Sequence, residues 1–222
     1  MLTTMSLPPL FWVWVALAVL LIVSWPFISR RLDRHDLRRN WQRWASAHEV
    51  GHALVAWFGC PTTLTVEWIG LGVNCFVCHC ATKKSRMNVP ELWHWLAFCL
   101  GGMAGETTLL GRLNRPRNCR PDFDLALKAV NLMIGTGQPL IEQARSIVSS
   151  SEAPLPDWTR ISPKSRLSPA QAEILNLGFR LATVVIAQHR EAFDRARALA
   201  LPRYDQVVML TKDEIVACFS EV

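Results

Sequence analysis

Hydrophobic and polar positions divide the chain into a short series of predicted elements. Residues 10–28 carry no charge, and a run of that length is about enough to cross a bilayer core as a helix. Trp12, Trp14 and Trp25 stand near its two ends, where interfacial anchors belong. Apolar residues then recur at helical spacing over 37–58, with Gly59 at the end. Residues 63–69 alternate and are β-branched, so they predict a strand; Gly70-Leu71-Gly72 turns the chain into a second strand over 74–81. Pro90 opens an apolar helix that reaches Glu106. A further helix is expected over 121–134, stopped by Gly135 and Gly137, and a weaker one over 140–148. Residues 149–169, rich in Ser and Pro, predict an exposed connection. A long amphipathic helix over 170–198 follows, on which His189 is expected to be solvated. The last helix, 211–220, has Thr211 as cap and Glu214 three residues later. The pattern thus predicts an α+β, predominantly α domain with a small β-hairpin, preceded by one N-terminal transmembrane helix. The boundaries are a tail and membrane span over 1–29, a basic juxtamembrane segment over 30–44, and a domain over 45–222.

Charge orients this arrangement. Arg30, Arg31, Arg34, Arg38, Arg39 and Arg43 follow the span against only Asp33 and Asp36. By the positive-inside rule, the C-terminal domain of a single-pass membrane protein with this flank lies in the cytoplasm. Residues 1–9 contain no Lys or Arg and no A-x-A pattern follows the span, which argues against a cleaved secretory signal. The formal net charge of +6 is concentrated beside the membrane, so the arginines are read as contacts with anionic lipid. No recognisable nucleic-acid-binding motif occurs. Seven scattered cysteines make a poor disulfide framework and agree with a reducing compartment.

The chemistry lies in His48-Glu49-Val50-Gly51-His52, an H-E-x-x-H motif on the predicted helix over 37–58. Four residues slightly exceed one helical turn, so both imidazoles leave one face and can hold adjacent corners of a tetrahedral zinc site. Glu49 then stands beside the metal and can carry a proton from the attacking water to the leaving amine. Three fixed letters in five also arise by chance, in which case the histidines are ordinary helix residues. Gly51 costs that helix about 1 kcal/mol relative to Ala, so a close neighbour is expected against its backbone. Glu106, at the end of an apolar stretch, requires a partner such as a metal, a ligating histidine or backbone donors. Asp122 and Asp124 fall in the first turn of their helix, where acids serve as caps. Cys75-x-x-Cys78-His79-Cys80 fits covalent haem attachment, which conflicts with a cytoplasmic domain, and it also fits half of a zinc knuckle. The simplest reading is a strand with buried thiols acting as small hydrophobes.

Taken in order, His48 to Val55, the hairpin, Leu100-Gly101-Gly102-Met103-Ala104-Gly105-Glu106, Asp122-Phe123-x-x-Ala126 and the long helix before Leu210-Thr211-Lys212-Asp213-Glu214-Ile215 resemble the zinc peptidase domain of the FtsH family. The likeness covers about residues 45–219. It implies a zincin-like, mostly helical fold with Zn²⁺ as cofactor and an aspartate as third ligand. The family's D-[LIF]-x-x-A pattern places that ligand at Asp122, with Asp124 as the alternative register, and makes Glu106 a supporting residue. FtsH proteins carry an ATPase module between membrane and peptidase, whereas these 222 residues contain no G-x-x-x-x-G-K-[ST] loop. The expectation is an ATP-independent zinc endopeptidase that cleaves peptides or flexible, unfolded protein segments at the membrane, with catalytic Glu49 and metal ligands His48, His52 and Asp122. A homo-oligomer and an ATPase acting in trans are the further partners left open. Two other readings stay beside it: a zinc-binding regulatory module of the same fold that does not cleave, and an intramembrane protease, against which Arg38, Arg39 and Arg43 stand just before the motif.

Overall fold

A computed structural model describes residues 42–71, 76–82, 87–113, 116–137, 140–148, 154–201 and 207–220. Gln42–Val222 forms one compact unit. The expected membrane span over 10–28 and its basic flank up to residue 41 lie outside the described residues. The unit is mostly helical with one small antiparallel sheet, an α+β architecture.

The chain is already helical at 42, and this helix (α1, 42–54) widens into a π-helical turn, Val55–Gly59. Strands β1 (Leu64–Leu71) and β2 (Phe76–Thr82) form the expected hairpin. A third strand, β3 (Val208–Thr211), pairs with the other side of β1 and gives the order β2-β1-β3. Four residues before a capped helix carry too little alternation to announce a strand, so β3 was not expected from the pattern. A bulge at Glu67 shifts the β1 register between Val66 and Trp68. The extra residue changes which parity faces inward, so Leu64 and Val66 are buried before it and Ile69 and Leu71 after it.

The hub of the fold is α2 (Val89–Leu110), which packs on α6 (Pro169–Gln188) and α3 (Arg120–Gly135). Its start is fixed by a capping box, in which the Asn88 side chain accepts from the Glu91 amide and Glu91 accepts from the Asn88 amide. α1 crosses α2 at unusually close range. A Cβ on Gly51 would collide with the Gly101 carbonyl and stand 3.2 Å from Gly105 Cα, which is the close neighbour that a mid-helix glycine called for. α4 (Ile141–Val148) packs on α6.

Two expectations change. The connection before residue 169 holds a one-turn helix, α5 (Trp158–Ile161), whose Trp158 is buried beside Phe123 and Phe179 and donates its indole N–H to Asn176 at 2.8 Å. A large aromatic with a satisfied polar tip anchors an otherwise polar loop. The long helix over 170–198 is two helices, α6 and α7 (Arg190–Leu199), broken at His189. His189 is half-buried rather than solvated, because its ring stacks on Phe58 at 3.6 Å and 8°. The last helix, α8 (Lys212–Ser220), starts where Glu214 accepts from the Thr211 amide at 2.8 Å and from its hydroxyl at 2.9 Å. Among the described residues α6 alone is long and apolar enough to cross a membrane by length and composition. Ile174, Leu175, Phe179, Ala182 and Ile186 of α6 are buried within this unit.

Candidate metal centre

Two helices bring the donors together. α1 projects His48 and His52 from one face, and α3 begins after a 3-10 turn, Pro116–Cys119, so that Asp122 in its first turn points back at them. His48 Nε2 lies 3.2 Å from His52 Nε2 and 2.9 Å from Asp122 Oδ2, and His52 Nε2 lies 3.6 Å from the same oxygen. Asp122 is 22% exposed, while His48 and His52 are buried. Asp124, two residues on, leaves the opposite side of α3 and pairs with Arg120 at 3.6 Å on the surface. The cap role that either acid could have filled is taken by neither side chain.

Hydrogen bonds behind the rings fix their tautomers. His52 Nδ1 is 2.7 Å from the Phe98 carbonyl, which can only accept, so Nδ1 carries the proton and Nε2 keeps its lone pair. His48 Nδ1 is 2.7 Å from Glu106 Oε1, a carboxylate that accepts in the same sense. Two lone pairs and a carboxylate oxygen therefore converge on one point, an arrangement that requires a cation or a proton between them. A tetrahedral ion with bonds of 2.0–2.1 Å has ligand atoms about 3.3 Å apart. The three observed separations of 2.9, 3.2 and 3.6 Å bracket that value. Space for the ion is left by Gly102 of α2. A Cβ there would stand 2.5 Å from His52 Nε2 and closer still to His48 Nε2. These residues could hold a metal ion.

A second group, His48, Glu106 and Cys119, shares His48 and lies behind it. The Cys119 thiol donates to Glu106 Oε1 at 3.8 Å, and Glu106 in turn accepts from His48, so the group orients a ligating ring from its far side. Burial pushes the Cys119 thiol up to about 11, keeping it a donor. The partner that Glu106 was expected to need is thus a histidine of the motif. Cys119, the Phe98 carbonyl and Gly102 were not singled out by the sequence. A glycine pair inside an apolar helix was the one signal that could have pointed to Gly102.

No protein-family model matches this chain, and no curated protein matches it. The FtsH resemblance rests on the ordered motifs alone.

Electrostatics follow from this packing. Burial pulls the His48 pKa down, but contacts with Asp122, Cys119 and Glu106 outweigh it and hold it well above the usual value. Burial also works to raise Asp122, yet the charge and hydrogen bonds of His52 and His48 dominate and keep its carboxylate far below the ordinary range. Glu49 is 6% exposed and does not enter the donor set. Its pKa is raised by burial, against the opposing pull of His48, His52 and the Cys78 backbone in β2.

β2 brings its thiols to this neighbourhood. Cys80 pairs with buried Val66 and Cys78 with buried Ile69, so both face inward, whereas His79 pairs with Trp68 on the outer face. There His79 stacks on Trp68 at 5.3 Å and its Nδ1 meets Glu67 at 2.8 Å. His79 therefore does not share a face with Cys78 and Cys80, and Cys75, the other half of the C-x-x-C pair, lies outside the described residues. Cys78 and Cys80 are half-buried rather than buried, since β2 is an edge strand.

Proposed function

We propose that the chain is a zinc-dependent, ATP-independent endopeptidase. In this reading it is held by its N-terminal segment at the cytoplasmic face of a membrane and hydrolyses peptides or flexible protein segments there. The observation that carries the reading is the convergence of His48, His52 and Asp122 beside a buried carboxylate, Glu49, that stays outside the donor set. Two imidazoles and one carboxylate form a three-ligand set of the kind that leaves zinc an open position in catalytic sites.

His48, His52 and Asp122 would hold the ion, and Glu106 and the Phe98 carbonyl fix the two rings. Zinc bound there supplies Lewis acidity towards the attacking water and the scissile carbonyl. Glu49 takes the proton from that water and returns it to the leaving amine; its raised pKa brings the carboxylate closer to the range in which both transfers are favourable.

Cleavage of an unstructured peptide by the zinc-loaded chain tests the proposal. Glu49→Gln is expected to retain zinc and to lose about 10²–10⁴-fold in rate. Undiminished cleavage by that variant would remove Glu49 from the mechanism. A wild-type chain with full zinc content and no cleavage would favour the regulatory module.

A further inference from the structure

The two inward thiols of β2 form a feature that the proposed catalytic site does not use. Cys78 Sγ and Cys80 Sγ lie 3.6 Å apart, and neither is in a disulfide. They occupy alternate positions of an edge strand, so they share a face by the period of the strand. Cys78 lies within electrostatic range of both Glu49 and Asp122. Whatever binds the sulfurs therefore binds at the rim of the metal centre.

Geometry separates a cation from a disulfide as the outcome. Strand residues two apart have Cα atoms about 6.4–6.8 Å from each other, at the upper end of the range that a disulfide tolerates. Closing the bond would bring the sulfurs to about 2.05 Å and bend an edge strand that is paired along β1. Two thiolates on one tetrahedral zinc, with bonds of about 2.3 Å, stand about 3.8 Å apart. The observed 3.6 Å requires almost no movement to reach that value. Softness of the donors selects thiophilic ions over calcium or magnesium.

We propose that Cys78 and Cys80 form a second site, for a thiophilic cation such as Zn²⁺ or Cd²⁺. On binding, each sulfur exchanges its proton for the metal and both protons pass to the solvent. The remaining positions on the ion are left to water, and the site does not rest on the peptidase reading.

The full chain carrying one equivalent of zinc is titrated with Cd²⁺, following ultraviolet thiolate-to-cadmium absorption. The band is expected to appear with the second metal equivalent and to be lost in the Cys78→Ser/Cys80→Ser variant. Cadmium NMR of the unsubstituted chain is an independent check, since the chemical shift reports the number of sulfur ligands and needs no variant to fold. A second equivalent with no sulfur ligand, or the same band in the double variant, overturns the site.

Discussion

Gly102 carries a sharp consequence at the scale of single residues. Helical propensity favours alanine over glycine by about 1 kcal/mol, so Gly102→Ala is expected to leave α2 intact. Its methyl would nevertheless occupy the space between the two Nε2 atoms, 2.5 Å from that of His52. The expected outcome is a folded protein, unchanged in far-UV circular dichroism, that no longer retains zinc through gel filtration. Full zinc content in Gly102→Ala would show that the ion does not sit between these rings. The motif histidines and Glu49 were legible in the sequence because their chemistry depends on positions four apart on one helix. Gly102 was not, because its role depends on side chains about fifty residues earlier in the chain.

The elements show where local pattern holds and where packing overrides it. The starts of α2, α6 and α8 are fixed by caps within four residues, as Asn88 with Glu91, Ser168 with Gln171 and Thr211 with Glu214. Such signals survive in any tertiary context. The break at His189 and the burial of Trp158 are different, since they come from Phe58 and from Phe123 and Phe179, distant in sequence. The crossing of α1 and α2 is the element-scale feature most open to test. Gly51→Ala gains about 1 kcal/mol of propensity. It also drives a methyl into the Gly101 carbonyl, a backbone atom that cannot turn aside. Overpacking of that kind costs about 1–3 kcal/mol. The net expectation is a lower denaturation midpoint in urea, together with weaker zinc retention because His48 and His52 move with α1. A raised midpoint would mean that the two helices are free to separate.

At the scale of the whole molecule, stability should depend on pH through histidines outside the metal centre. Burial lowers the His94 pKa from its ordinary 6.5, with Glu91 opposing, and burial lowers His189 in the same direction. A group whose folded pKa is depressed contributes stability that is fully present above its unfolded pKa and is lost as pH falls through the folded value. For His94 the loss begins below about 6.5, because the unfolded chain takes the proton first. His94→Leu is expected to remove that contribution, so the thermal midpoint of the variant falls less between pH 7.5 and 5.5 than that of the wild type (both pH values being about one unit either side of 6.5). Equal falls in the two proteins would mean that His94 does not contribute to the acid limb.

The sequence by itself determined the H-E-x-x-H face, the caps, the hairpin and a predominantly helical domain, because each depends on residues within one or two turns or one strand repeat. Tertiary structure decided the rest. It set Asp122 rather than Asp124 beside the imidazoles, Glu106 behind His48, and β3 against β1. It also turned Cys78 and Cys80 towards the inner face of the sheet and His79 away. A donor set within 3.6 Å drawn from residues 74 positions apart exists only where α1, α2 and α3 pack. Local pattern cannot carry that information, since the faces two helices present to each other depend on what lies between them.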